Sequence, residues 1–290
     1  MENNGTVDEQ KVQALDSNAV LNVFKQEFSN TLNSVYVNSL GREVKFREVT
    51  VIEQKTLSKS MISNEKRRDI VYDLQCSLIN RLCLEEGFDI YKLTEFDRIR
   101  ILMEIYQSNY FKNTITYKCK ECGAENTYSF DFTKVIEKLN NFDLNDKIFT
   151  VEDKVRNYVF TLNYPLVRNV SNFYKSYNKK YKNATKDERE ALDNLGNIEY
   201  IDLFIKQIEI INRADPTRRQ LADLTLMSYN QIEQLIALFP QNVIFSDDNG
   251  VIKYITTEFI EKINKVFTYE KCMQCGAESS EGIGGVGDFF

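Results

Sequence analysis

Six cysteines are the residues in this chain whose type and spacing could do chemistry, and four of them fall into two near-identical phrases. The first is Cys119-Lys-Glu-Cys122-Gly123-Ala-Glu and the second is Cys272-Met-Gln-Cys275-Gly276-Ala-Glu. Two residues between cysteines let a chain turn so that both sulfurs face one ion. A glycine after the second cysteine permits the positive-φ turn that brings backbone N–H groups toward the thiolates. Four thiolates complete a tetrahedron around Zn²⁺, leave no place for water, and so make a structural site. Soft sulfur donors favour zinc over magnesium or calcium. Knuckles of one ribbon usually stand ~15–20 residues apart, yet 149 residues lie between Cys122 and Cys272. Three readings are therefore open: one shared zinc site, two separate reduced pairs, or each pair sharing metal with a second copy. In the first, zinc ties the C-terminal region to the middle of the chain and offsets the entropy of closing a long loop. A thioredoxin-like exchange site is the redox alternative, but neither pair opens a helix after a strand. Cys76 and Cys83 lie on the apolar side of an expected helix and read as core thiols.

Composition narrows the rest. The chain has 290 residues, 42% of them hydrophobic, a net charge of −6, and neither histidine nor tryptophan. The missing histidine removes Ser-His-Asp and Cys-His catalysis and the HExxH zinc proteases. No paired carboxylates stand out as an acid and a base, so the reading is a non-enzymatic protein without a small-molecule substrate. The negative charge argues against gripping phosphates. No apolar run approaches the roughly 18 residues of a membrane span, and the polar, acidic N-terminus is unlike a secretory signal. In a chain that is not exported, cysteines read as thiols or metal ligands.

The elements that must position the cysteines follow from periodicity. Residues 1–16 read as a polar arm, and Ser17 to about Leu32 as a helix. "VYVNSLGREVKFREV" alternates about Gly41, as a hairpin with Val35, Val37, Val44 and Phe46 on one face. Helices are expected at 51–62, at 64–86 with Ile70, Leu74, Leu78 and Leu82 in register, and after Thr94, with Asp97 reaching back over its first turn. Alternating runs at 113–118 and 126–132 flank the first cysteine pair, and strands at 147–151 and 157–164 precede Pro165. Helices are then expected at 166–182, 187–212, 219–239 and 251–265, with a short strand at 265–272 entering the second pair. The order of hairpin, helices and knuckle suggests a diluted repeat of 35–132 in 146–280. The fold class is α+β, helix-rich, with short β-hairpins and a composite four-cysteine zinc ribbon. Residues 17–280 are expected to form a single compact domain, and 281–290 a glycine-rich tail.

Two further stretches tempt. "GIGGVG" at 282–287 matches a dinucleotide fingerprint, but without the strand and helix that motif needs. It reads instead as a tether carrying Phe289 and Phe290 to a pocket on a neighbour, or as a frayed end. "FYKSYNKKYKNATK" at 173–186 mixes tyrosine with lysine, which can bind single-stranded nucleic acid. The plainer reading is a helix with tyrosines inward and lysines outward.

The stretch "LTEFDRIRILMEIYQSNYFKNTITYKCKECGAENTYSFDFTKV" at 93–135 resembles the baseplate hub protein family of T-even-like contractile bacteriophages. The opening "LGREVKFREVTVIEQKTL" and the double-phenylalanine ending are similar to that family as well. The resemblance implies zinc-type roles for Cys119, Cys122, Cys272 and Cys275 and no catalytic residue. It implies a place in or near the hub of a phage tail, among other tail and baseplate proteins, in a virion assembled in the host cytoplasm. The rival readings are a cytosolic zinc-ribbon protein that binds nucleic acid through 173–186, and a CxxC thiol oxidoreductase.

Overall fold

In a hairpin that turns on a left-handed glycine, alternate residues face one side, and this sets the first element. Strands β1 (Leu32–Val37) and β2 (Arg42–Arg47) pair antiparallel, with Val35 opposite Val44, and Gly41 sits at φ +62° in the turn. Val35, Val37, Val44 and Phe46 are all buried, as their alternation predicts. The computed structural model describes residues 32–64, 67–108, 114–119, 121–129, 131–185, 188–189, 192, 199–245, 250–267 and 271–277. The expected arm 1–16, nearly all of the helix expected from Ser17, and the tail 281–290 lie outside the described residues. Leu32 begins β1 instead of ending a helix.

Helices α1 (Val51–Ser63), α2 (Arg68–Leu82) and α3 (Glu95–Ser108) follow. Along α2, Tyr72, Gln75, Cys76, Leu78, Ile79 and Leu82 are buried, a stripe at helical spacing. Asp97, 1% exposed, accepts hydrogen bonds from Thr94 Oγ1 at 2.8 Å and from the backbone N–H groups of Asn38 at 2.9 Å and Ser39 at 3.3 Å. The helix-start carboxylate thus also holds the tip of the first hairpin. Inside α3, the Arg98 guanidinium donates to Glu95 at 2.9 Å, a buried charge pair, and its hydrogen bond to Gln75 at 2.7 Å joins α3 to α2.

A second hairpin, β3 (Thr114–Lys118) and β4 (Glu125–Ser129), leads into α4 (Phe132–Asn140), whose N-cap Asp131 accepts from the Lys134 N–H. Then comes a four-stranded antiparallel sheet in the order β5 (Lys147–Glu152), β6 (Arg156–Leu162), β7 (Ile205–Asn212) and β8 (Arg219–Asp223). Helix α5 (Val167–Asn183) connects β6 toward β7. Its Phe173 and Tyr174 pack on Tyr229 and Tyr72, while Lys175 pairs with Asp73 and Lys180 with Glu199 and Glu233. The tyrosine–lysine stretch therefore spends its aromatics on the core and two of its cations on carboxylates.

Short helices α6 (Tyr229–Ile236), α7 (Gln241–Phe245), α8 (Val251–Ile255) and α9 (Glu261–Val266) close the chain, with a π turn at Thr256–Ile260 between the last two. Phe239 lies on Tyr158 and Phe160 of the sheet, and Tyr254 stacks on Phe149 at 4.5 Å. Buried side chains form one cluster from Val35 to Phe267. The fold is α+β, with short antiparallel sheets.

Two expected helices give way here. Residues 205–212, placed in a helix over 187–212, form β7, a central strand paired on both sides. Residues 219–223, the start of the helix expected over 219–239, form β8; the helix itself begins after Ser228, whose side chain and that of Gln231 make a capping box. Lys265 and Val266, expected in a strand, end α9.

Candidate metal centre

Each knuckle is built by its own local hydrogen bonds, and the two sets are the same. In the first, Cys119 N–H donates to Ala124 O at 2.8 Å and Gly123 N–H to Cys119 O at 2.8 Å. In the second, Cys272 N–H donates to Ala277 O and Gly276 N–H to Cys272 O, both at 2.9 Å. Gly123 and Gly276 sit at φ +70° and +71°, a conformation a side chain would strain. The repeated "CGAE" therefore encodes the same turn twice. The first turn is the loop of the β3–β4 hairpin, where Lys118 pairs with Glu125. The second, at Cys272–Ala277, is the next described turn in sequence after α9.

Packing brings the two turns together. Helix α4, which leaves the first hairpin, packs against α9, which enters the second knuckle, and both contribute to the buried core through Val135, Leu139 and Val266. Across the junction Cys119 Sγ lies 3.7 Å from Cys275 Sγ, and Cys122 Sγ lies 3.7 Å from Cys272 Sγ. All four sulfurs lie within 4.8 Å of one another, and no cysteine is in a disulfide. A tetrahedral zinc with Zn–S bonds of about 2.3 Å has S···S edges of about 3.8 Å. The two cross-junction distances of 3.7 Å match that edge, and the four cysteines offer a soft, four-donor set with no further donor needed. The residues present thus fit a closed tetrathiolate ion site. Cys119 and Cys272 are buried, whereas Cys122 and Cys275 are exposed, so the cluster lies at the surface with one sulfur of each pair turned inward.

The electrostatics favour a single negative charge at this point, on Cys272. Backbone N–H groups of Cys275 and Gln274, helped by the Asn126 amide, draw the Cys272 thiol down to about 6 against burial. For Cys275, the Ala277 N–H pulls down but is outweighed by the crowding sulfurs of Cys122, Cys272 and Cys119, and the thiol rises to about 12. The Cys122 thiol is likewise raised: the Ala124 N–H lowers it, and burial and neighbouring sulfurs overcome that. One thiolate suits the protein alone, and four require a cation among them.

Asn126 is the site residue that sequence reasoning missed. It is buried on β4, and its side chain reaches Cys272 and Met273 of the other knuckle. Nothing in "CGAEN" separates it from Ser279, the residue at the same place in "CGAES". Cys76 is fully buried on α2, its thiol pushed up to about 12 by burial, and Cys83 ends the same helix half-buried; neither approaches the cluster. Phe289 and Phe290 lie outside the described residues.

The fold and cluster define a small α+β protein whose two distant turns converge on four thiols. Residues 29–290 match the family described as T4 bacteriophage base plate protein, and the chain belongs to that family. No curated protein and no solved structure matches it significantly. The protein is accordingly a component of a phage baseplate, placed in the virion tail among other tail proteins. No helix among the described residues is long and apolar enough to cross a membrane.

Proposed function

We propose that this chain is a non-enzymatic structural or assembly component of the central hub of a contractile-tail baseplate. It works through contacts with other tail and baseplate proteins, without a small-molecule substrate, a membrane or nucleic acid. Zinc held by Cys119, Cys122, Cys272 and Cys275 staples the C-terminal knuckle to the β3–β4 hairpin and makes the pair one rigid feature. The observation that carries the reading is the family match over nearly the whole chain, with the tetrathiolate geometry supporting the staple. The hub position rests on the resemblance of 93–135 to hub proteins.

Phe289 and Phe290, on the glycine-rich tail, are proposed to dock on a neighbouring tail protein. The test is complementation of a phage lacking this gene. A chain without Asp288–Phe290 should melt like the full chain yet lower particle yield; unchanged yield discards the tail contact. If the chain belongs to the hub, the other hub proteins should sediment free, outside any assembly, in lysates of the deleted phage. Hub proteins that still sediment as an assembly would move this protein elsewhere in the baseplate.

The thiol-exchange alternative has one observation in its favour, the lowered Cys272 thiol. Cys272 is only 3% exposed, however, and an exchange nucleophile must be reached by its partner.

A further inference from the structure

A polar side chain buried between two segments fixes their relative placement, because its partners must all be met at once. Asn126 is 6% exposed and spans the two knuckles. Its Nδ2 donates to Ala124 O at 3.0 Å, in the first knuckle, and toward Cys272 Sγ at 3.5 Å, in the second. Its Oδ1 accepts the Met273 N–H at 3.0 Å. The partners fix the orientation of the amide: the oxygen faces a donor, and the nitrogen faces a carbonyl and a sulfur.

We propose that Asn126 is the positioning residue of the metal centre: it docks the second knuckle on the first and aims Cys272 at the ion. The inference rests on the zinc reading of the four cysteines. Its Oδ1 holds the backbone at Met273, next to Cys272, so the sulfur is placed whether or not an ion is bound. Its N–H stabilises negative charge on that sulfur once a thiolate forms. Outer partners of this kind typically change metal affinity by 10–100-fold. Because the corresponding residue in the second phrase is Ser279, the two knuckles are not interchangeable. The first is the platform and the second is the part it receives.

The test uses the full chain, reduced and stripped of metal, titrated with Co²⁺ against a competing chelator. Wild type, Asn126→Ala, Asn126→Asp and, as a control on the same strand, Thr127→Ala are compared; Thr127 is exposed. Asn126→Asp keeps the shape and the acceptor for Met273 but removes the donor to sulfur, so it carries the test if Asn126→Ala does not fold. Wild type and Thr127→Ala should bind one Co²⁺ with the absorption of a four-thiolate tetrahedron. Both Asn126 variants should bind it about 10–100-fold more weakly. In Asn126→Asp the sulfur-to-cobalt charge-transfer band should move to the red, because a sulfur without its N–H gives up charge more easily. Variants that bind as tightly as wild type overturn the positioning role and leave the metal reading intact. Weaker binding with an unmoved band overturns the hydrogen bond to sulfur. A wild type that binds no Co²⁺ overturns both readings together.

Discussion

The six cysteines should split into two kinds when replaced one at a time by serine. Cys275 is exposed and Cys76 is fully buried. Cys275→Ser removes one of four sulfurs but no packing, so in chelator it should melt within about 1 °C of wild type, as exposed substitutions do. With zinc at about a thousandfold excess over its dissociation constant, binding to the folded state alone adds about 4 kcal/mol. At roughly 2–4 °C per kcal/mol for a domain of this order, wild type should gain about 8–16 °C. Cys275→Ser should lose most of that gain. Cys76→Ser puts a hydroxyl at a fully buried position, which costs about 1–3 kcal/mol. It should lower the melting temperature by about 2–12 °C with or without zinc, and keep the zinc increment. The assay is thermal melting by circular dichroism in reductant, with zinc or with chelator. A Cys275→Ser protein that keeps the whole increment, or a wild type that shows none, refutes the division.

Asp97→Ala leaves the Asn38 and Ser39 N–H groups without their acceptor, and at about 1–3 kcal/mol for each should cost about 2–6 kcal/mol in urea unfolding; an effect below about 1 kcal/mol would mean the hairpin tip is held otherwise. Burial first, and then Glu199 and Glu233, raise the Asp202 carboxyl to about 7. The folded state therefore holds a proton that the unfolded state has lost, and stability should fall as pH rises from about 4 to about 7. Asp202→Asn should flatten that fall, seen as unfolding midpoints that lie closest at about pH 4 and diverge in the variant's favour by about pH 8; parallel curves would exclude Asp202 as the cause.

Much of the fold is legible where side-chain period and burial coincide. The first hairpin alternates without a break, and α2 repeats Leu78 and Leu82 at four-residue spacing with its buried stripe. Strand β7 is illegible for a physical reason. The register against β6 shifts between Thr161 and Leu162, so Thr161 pairs with Gln207 and Leu162 with Ile205. Lys206 is the extra residue, and it lets Ile205 and Ile208 both face the core at a spacing of three. A bulged strand written with Lys, Gln and Glu then reads as a helix. The turn signal Asp215-Pro216 and the Ser228–Gln231 capping box were the local cues that mark β7, β8 and α6 apart.

The candidate site divides the same way. Its cysteines and both turns are carried by short motifs, because Cys-x-x-Cys-Gly specifies its own local bonds. That the two motifs meet depends on α4 packing against α9, a tertiary contact that no motif encodes. Asn126 depends on the same contact and is invisible until the knuckles are in place.

X-ray absorption at the zinc edge, on full-length protein purified without added metal, addresses the staple most directly. One zinc per chain, surrounded by four sulfurs at about 2.3 Å, is the expected result. Protein that carries no zinc, or zinc with fewer than four sulfurs in a monomeric chain, would contradict it.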